Sequence, residues 1–314
     1  MRVQVPPRAQ AHLSEMRETP GTSTVSGVSS SLRVSAQAGG PASQIDDPMK
    51  ETKMARRAAW RAGHSPTIIG HRGASSEAPE NTLAAFDAAV DAAARESGPG
   101  APAWIELDLQ HTADGEVVVI HDDELDRTTS GQGAVSARTS AELRTLDAGT
   151  WFDAAFAGQR IPTLAELAEW IAANPTAHVL VEYKGAWSPQ QITPTVASFE
   201  AAGVGERLVL QSFDPRTVRS LQLRAGDYAL GLLIDETAHY PEIETAELLS
   251  VSAVNPHWRR ALAEPDLVRA VHERLGAQMA VWTPDEPVDW DALAAAGVDA
   301  IITNRPREAR SHLG

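Results

Sequence analysis

From Thr67 onward, short apolar runs alternate with Ala-rich stretches whose apolar positions recur at helical spacing. The runs "TIIG" (67–70), "WIELDL" (104–109), "HVLVEY" (178–183), "LVLQSF" (208–213) and "YALGLLI" (228–234) read as strands. "SAVN" (252–255), "QMAVWT" (278–283) and "AIIT" (300–303) continue the series. Between them, "NTLAAFDAAVDAAARES", "TLAELAEWIAAN", "DPRTVRSLQLR", "EPDLVRAVHERLG" and "DWDALAAAG" read as helices. Asp214 before Pro215 is an N-cap with proline at the first helical position, and Gly297 closes "LAAA" as a stop.

Eight strands with helical crossovers over about 250 residues predict an α/β fold of the (β/α)8 TIM-barrel type. A further run, "VVVIH" (117–121), follows the second strand after only "TADGE". That link is too short for a parallel crossover, so a small hairpin insertion after the second strand is expected. A doubly wound open sheet is the alternative architecture.

Residues 1–63 have a different character. "TPGTSTVSGVSSSLRVSAQAGGPASQ" is rich in Ser, Gly, Thr, Pro and Ala and has no sustained period. Such a segment buries too little apolar surface to offset its ordering entropy, which predicts a disordered N-terminal tail followed by one domain over 64–314. Met54 is an alternative start. The tail has no h-region of a secretory signal, and a cytoplasmic location is expected.

Composition narrows the chemistry. The chain of 314 residues has 43% hydrophobic residues, enough for a sizeable core, and a net charge of −15. That charge speaks against nucleic acid or an anionic membrane as a partner. No apolar run approaches the roughly 18 residues of a membrane span, so stable membrane insertion is not expected. With no cysteine there is no disulfide and no thiolate chemistry, and a metal would be held by oxygen or nitrogen.

In a barrel the active site lies at the C-terminal ends of the strands. Alternation along "WIELDL" turns Ile105, Leu107 and Leu109 toward the helices and projects Glu106 and Asp108 inward together. In "HVLVEYK", Glu182 and Lys184 share a face, while His71 and Arg72 follow the first strand and His121 ends the hairpin piece. Taken singly, a histidine after a strand is commonly a structural hydrogen-bonder and an i, i+2 Glu–Lys pair a solvated edge. Together they are harder to dismiss. Three carboxylates at one mouth repel by roughly 4 kcal/mol per close pair at an effective dielectric of about 20. Shared protons, Arg72 and Lys184, or a divalent cation must offset that, and an all-oxygen trio suits one Mg²⁺ or Ca²⁺ best.

The blocks "IIGHRGASSEAPENTLAAF", "IELDLQHTADGEVVVIHDDELDRTTSGQGAV", "IPTLAEL", "VEYK", "QSFD", "VWT" and "AIITNRP" resemble, in order, those of the glycerophosphodiester phosphodiesterase family. The resemblance runs from about Ile68 to Pro306. It implies a (β/α)8 barrel that uses a divalent metal to hydrolyse small glycerophosphodiesters to glycerol 3-phosphate and an alcohol. Glu106, Asp108 and Glu182 match the metal carboxylates, His71 and His121 the catalytic pair, and Arg72 the phosphate-binding arginine. Lys184 matches the lysine two residues past the metal glutamate, and Asn81 and Trp282 fall at positions lining the pocket. Asn81 has helix capping as its bland alternative and Trp282 barrel core; Gln211 is a weaker candidate. Two departures stand out: Tyr183, on the face away from Glu182, and Asn304, where aspartate is usual, expected at the rim.

A phosphodiester has one negative charge and a poor alkoxide leaving group. Arg72 can grip two of its oxygens, and two histidines can take one proton and deliver another. His71 is expected to be the base and His121 the acid, with water or the substrate's own 2-hydroxyl as nucleophile. Rival readings are a lysophospholipid- or sphingomyelin-type phosphodiesterase, for which Trp151, Phe152, Phe156 and Trp187 offer a thin apolar rim, and a non-catalytic barrel binding phosphorylated ligands.

Overall fold

The computed structural model describes Trp60 and residues 65–314 apart from position 239. The remainder of the predicted tail lies outside the described residues. The strands are β1 Thr67–Gly70, β2 Ala103–His111, β3 Val117–Val119, β4 Ala177–Tyr183 and β5 Leu208–Ser212. They continue with β6 Ala229–Ile234, β7 Ala253–Pro256, β8 Gln278–Trp282 and β9 Ala300–Thr303. In space they run β1-β9-β8-β7-β6-β5-β4-β2, and β1 pairs with β2 to close the ring. The result is a closed barrel of eight parallel strands with helices between them, a TIM barrel. β3 lies outside the ring, antiparallel to the end of β2 with Leu109 opposite Val119, as the short "TADGE" link requires.

Two apolar layers hold the wall from either side. Ile105, Leu107 and Leu109 face outward into the layer beneath the helices, with Phe86, Val181 and Leu210. The inner layer sets Trp60 and Trp104 among Ala229, Ala253, Ala280 and Ala300. Small residues on four strands leave room for two indoles, which meet edge to face with centroids 6.3 Å apart. Trp60 therefore belongs to the barrel although it falls inside the stretch read as tail; it is 1% exposed and its backbone N–H donates to Gln278 Oε1. Trp60→Ala should cost about 3–5 kcal/mol, the usual range for deleting a buried indole. Urea unfolding measures this, and an unchanged midpoint would show that the indole contributes nothing.

The insertion is larger than a hairpin. Val118 and Ile120 pack with Leu125, Val135, Leu143, Ala148 and Ile161 in a small core of their own, which fixes the loop carrying His121. Helix Pro189–Ala201 is absent from the sequence reading because Pro194 interrupts it and Ile192, Thr193, Thr195 and Val196 lower its propensity. It forms because Ser188 and Gln191 make a capping box and its apolar face is buried. "EPDLVRAVHERLG" forms an α segment, Pro265–Arg269, that widens into a π turn over Ala270–Arg274. Asp214 caps its helix and Gly297 ends another in the left-handed conformation, both as read from the sequence. Among the described residues no helix is long and apolar enough to cross a membrane.

Candidate active site

The turn after β1 explains the glycine beyond His71 and Arg72. Gly73 has φ +88°, and a Cβ there would lie 2.6 Å from the backbone of Ala85. Arg72 and Asn81 also adopt left-handed backbone, each at φ 56°, which non-glycine residues reach at a steric cost. That conformation lets Arg72 N–H donate to Glu106 Oε2 at 3.1 Å, and Asn81 N–H to the Arg72 carbonyl at 3.0 Å. His71 is tied to the last strand by its N–H to the Thr303 carbonyl, 2.9 Å.

Glu106, Asp108 and Glu182 converge as the strand alternation predicts: one oxygen from each lies within 4.8 Å of the others. All three are buried. Asn81 Nδ2 donates to Asp108 Oδ2 at 2.8 Å, Arg72 Nε is 3.5 Å from that oxygen, and Lys184 Nζ is 3.4 Å from Glu182 Oε1. Burial pushes the Glu106 carboxyl well above its ordinary range, and the charges of Asp108 and Glu182 add to it. Burial and Asp108 raise Glu182 to about 7. Burial acts on Asp108 too, but Arg72 and Lys184 outweigh it and hold this carboxyl low. Asp108 Oδ1 is buried with no hydrogen-bond partner among the described residues. An orphaned oxygen inside three hard-oxygen donors that resist shared ionisation fits a divalent cation, and the trio can hold one.

Each histidine has its Nδ1 occupied, by partners of different charge. His71 Nδ1 meets Asn304 Oδ1 at 2.7 Å. Asn304 is itself oriented by Asp285, to which it donates from Nδ2 at 2.6 Å and from its backbone N–H at 2.9 Å. His121 Nδ1 meets the Asp122 carboxylate at 2.7 Å. From Asp122 an ionic chain runs back to the arginine: Arg127 Nε donates to Asp122 Oδ2, both Arg127 Nη groups grip Glu80, and Glu80 accepts from Arg72 Nη1 at 2.7 Å. Gln110 Nε2 anchors the loop, donating to the His121 and Asp122 carbonyls. Burial lowers His71 to about 3, helped by the Arg72 charge, and also lowers His121. Despite its burial, Asp122 falls to about 2 through its bonds to Arg127 and His121.

These groups open onto one cavity of about 170 Å³. His71, Arg72, Glu106, His121 and Glu182 line one side, and Phe213, Leu233, Trp282 and Ile302 the other. Trp282 is both wall and core, with its Nε1 donating to the Asn255 carbonyl. Asp108, Asn81 and Lys184 do not line this cavity; Asn81 holds Asp108, and Lys184 pairs with Glu182, which does line it, and with Asp108. Asn81 is not the helix cap, a place Thr82 takes. Asn304, expected at the rim, holds His71. Tyr183 turns outward, its hydroxyl 2.8 Å from Thr195 Oγ1. Trp187 is not a rim residue: it is buried against Tyr183, with its ring centroid 3.8 Å from that of His111 at a tilt of 36°.

The fold and this site define a TIM-barrel enzyme with a carboxylate cluster that could hold a cation beside a half-buried arginine and two oriented histidines. The chain belongs to the glycerophosphoryl diester phosphodiesterase family, whose model matches residues 71–308. It is 35% identical over 241 residues to a glycerophosphodiester phosphodiesterase of Caldanaerobacter subterraneus, covering 76% of this chain and 94% of that one. The crystal structure of glycerophosphodiester phosphodiesterase from Agrobacterium tumefaciens superposes with TM-score 0.65 at 30% identity, covering 79% of this chain and 99% of that one. A phosphodiesterase from Oleispira antarctica, in complex with the product sn-glycerol-3-phosphate, gives 0.66 at 26% identity over 79% and 96%.

Proposed function

We propose that this barrel hydrolyses small glycerophosphodiesters to sn-glycerol 3-phosphate and an alcohol, and that residues 64–314 are its catalytic unit. The observation that carries the reading is one cavity lined by a half-buried arginine, two histidines of unlike partners, and Glu106 and Glu182 of a cation-ready carboxylate trio. Glu106, Asp108 and Glu182 would hold one Mg²⁺ or Ca²⁺, which when bound neutralises phosphoryl charge and lowers the pKa of an oxygen nucleophile. Arg72 binds the phosphate: its guanidinium lines the cavity, held in place between Asp108 and Glu80. Asn81 and Lys184 position and balance Asp108, and Trp282 forms the wall of the substrate pocket. A small water-soluble diester suits a cavity of this size and a cytoplasmic setting.

The histidine partners support a division of the proton transfers. Asn304 spends its Nδ2 hydrogens on Asp285, so its Oδ1 accepts and His71 must donate from Nδ1. His71 Nε2 is then a bare lone pair on an imidazole that burial keeps neutral, which makes it the base. It takes the proton from the attacking hydroxyl, whether water or the substrate's 2-hydroxyl. His121 leans on a carboxylate that stabilises its charged form, and the arriving phosphodiester anion adds to that. His121 is the acid that protonates the departing alkoxide.

Asp122→Asn should therefore lower kcat about 10- to 100-fold with little change in KM. Because Asp122 raises the pKa of His121, its loss should also move the alkaline limb of the kcat profile to lower pH. A limb that stays in place would remove Asp122 from this role. The reaction itself is tested on glycerophosphocholine, lysophosphatidylcholine and sphingomyelin in parallel. Release of sn-glycerol 3-phosphate from the first, with no turnover of the other two, is the expected result; preference for either lipid would overturn the proposed substrate class.

A further inference from the structure

Gln211 lies on β5 at 1% exposure, and two hydrogen bonds fix which end of its amide faces where. The backbone N–H of Ala280 donates to Asn255 Oδ1 at 3.2 Å, so Asn255 presents its Nδ2 on the other side. That Nδ2 donates to Gln211 Oε1 at 2.7 Å. With Oε1 taken, Nε2 is the free end: it is buried, has no hydrogen-bond partner among the described residues, and belongs to a side chain that lines the cavity. The bond between β7 and β5 passes over β6, where Gly231 has no side chain; a Cβ there would lie 3.1 Å from both Asn255 Nδ2 and Gln211 Cβ. A pre-oriented buried donor without a protein partner costs free energy that an acceptor arriving with a ligand would recover.

Strand register says which acceptor. Asp108, Glu182 and Gln211 stand in one row across β2, β4 and β5, which puts Gln211 beyond Glu182 from Asp108 and its partner Arg72. A phosphate held by Arg72 beside the carboxylates directs its carbon arm past Glu182. There Phe213 and Trp282, packed edge to face 5.3 Å apart, offer an apolar wall to the carbons. We infer that Gln211 Nε2 donates to a hydroxyl oxygen of the glycerol arm, making Gln211 the residue that selects a glycerol ester over a plain alkyl phosphate. A neutral donor suits a neutral oxygen, while the charged oxygens meet Arg72. This assignment rests on the diesterase reading above.

The test compares dissociation constants for sn-glycerol 3-phosphate and ethyl phosphate, by calorimetry in saturating Mg²⁺, for the wild-type chain and Gln211→Met. Ethyl phosphate keeps the phosphate monoester and lacks the hydroxyls. The wild type should prefer glycerol 3-phosphate, and Gln211→Met should shrink that preference about tenfold or more through weaker glycerol 3-phosphate binding alone. Gln211→Glu carries the same test if the methionine variant does not fold, since it retains an acceptor for Asn255 without the donor; the ratio of the two constants is the readout. A preference that survives both substitutions, or a wild type with no preference, overturns the role of Gln211 and leaves the diesterase reading standing. A wild type that binds neither ester overturns both.

Discussion

Asp108→Ala should lower kcat/KM for glycerophosphocholine by at least about a thousandfold, because in the proposed site one carboxylate serves three functions. It contributes an orphaned oxygen to the cation site, it accepts from Asn81, and it is the charge that balances Arg72 and Lys184. Without it Arg72 and Lys184 lose their shared counter-charge, and a divalent ion held by Glu106 and Glu182 would meet repulsion where it needs a ligand. Metal affinity measured by titration calorimetry should fall with activity. Asp108→Asn separates the contributions, since it keeps the shape and an acceptor oxygen and removes only the charge; a loss close to that of alanine is expected. Either variant within tenfold of the wild type, with metal affinity intact, would remove Asp108 from the site.

The second large effect separates the two histidines through the leaving group. If His121 protonates the departing alkoxide, its loss matters most when that group is a poor one. Choline alcohol needs the proton; p-nitrophenolate, with its far lower pKa, hardly does. His121→Ala should cost about a thousandfold in kcat/KM on glycerophosphocholine and less than about tenfold on a p-nitrophenyl phosphodiester. His71→Ala lacks the base and should depress both substrates alike. The unlike partners support this division: a carboxylate behind His121 stabilises an imidazolium, whereas an amide behind His71 leaves it neutral. Equal losses on both substrates for His121→Ala would remove the acid role. Leaving-group dependence in His71→Ala instead would reverse the pair.

Period-two alternation made the barrel legible, because each strand buries a face and only one register puts Glu106, Asp108 and Glu182 inside together. "TIIG" and "AIIT" match β1 and β9 residue for residue. Helix Pro189–Ala201 escaped because its local signals oppose its tertiary packing. The groups that hold the histidines escaped for another reason. Asp122 is adjacent to His121, but Asn304 and His71 are 233 positions apart and Arg127 and Glu80 are 47 apart, and no local period links such pairs. Gln211 carried only a weak signal, since its free donor follows from Asn255 across an intervening strand. Trp187 misled because an aromatic in a loop reads as rim until its neighbours, His111 and Tyr183, are known.

In the proposed function, three buried carboxylates and the groups around them form one metal-assisted site for glycerophosphodiesters. The most direct measurement is ³¹P NMR of glycerophosphocholine incubated with metal-stripped protein, followed by separate addition of Mg²⁺, Ca²⁺ and Mn²⁺. No new resonance is expected from the stripped protein, and sn-glycerol 3-phosphate should appear once Mg²⁺ or Ca²⁺ is restored. Undiminished hydrolysis in excess chelator, or none with any of the three ions, would contradict the proposed function.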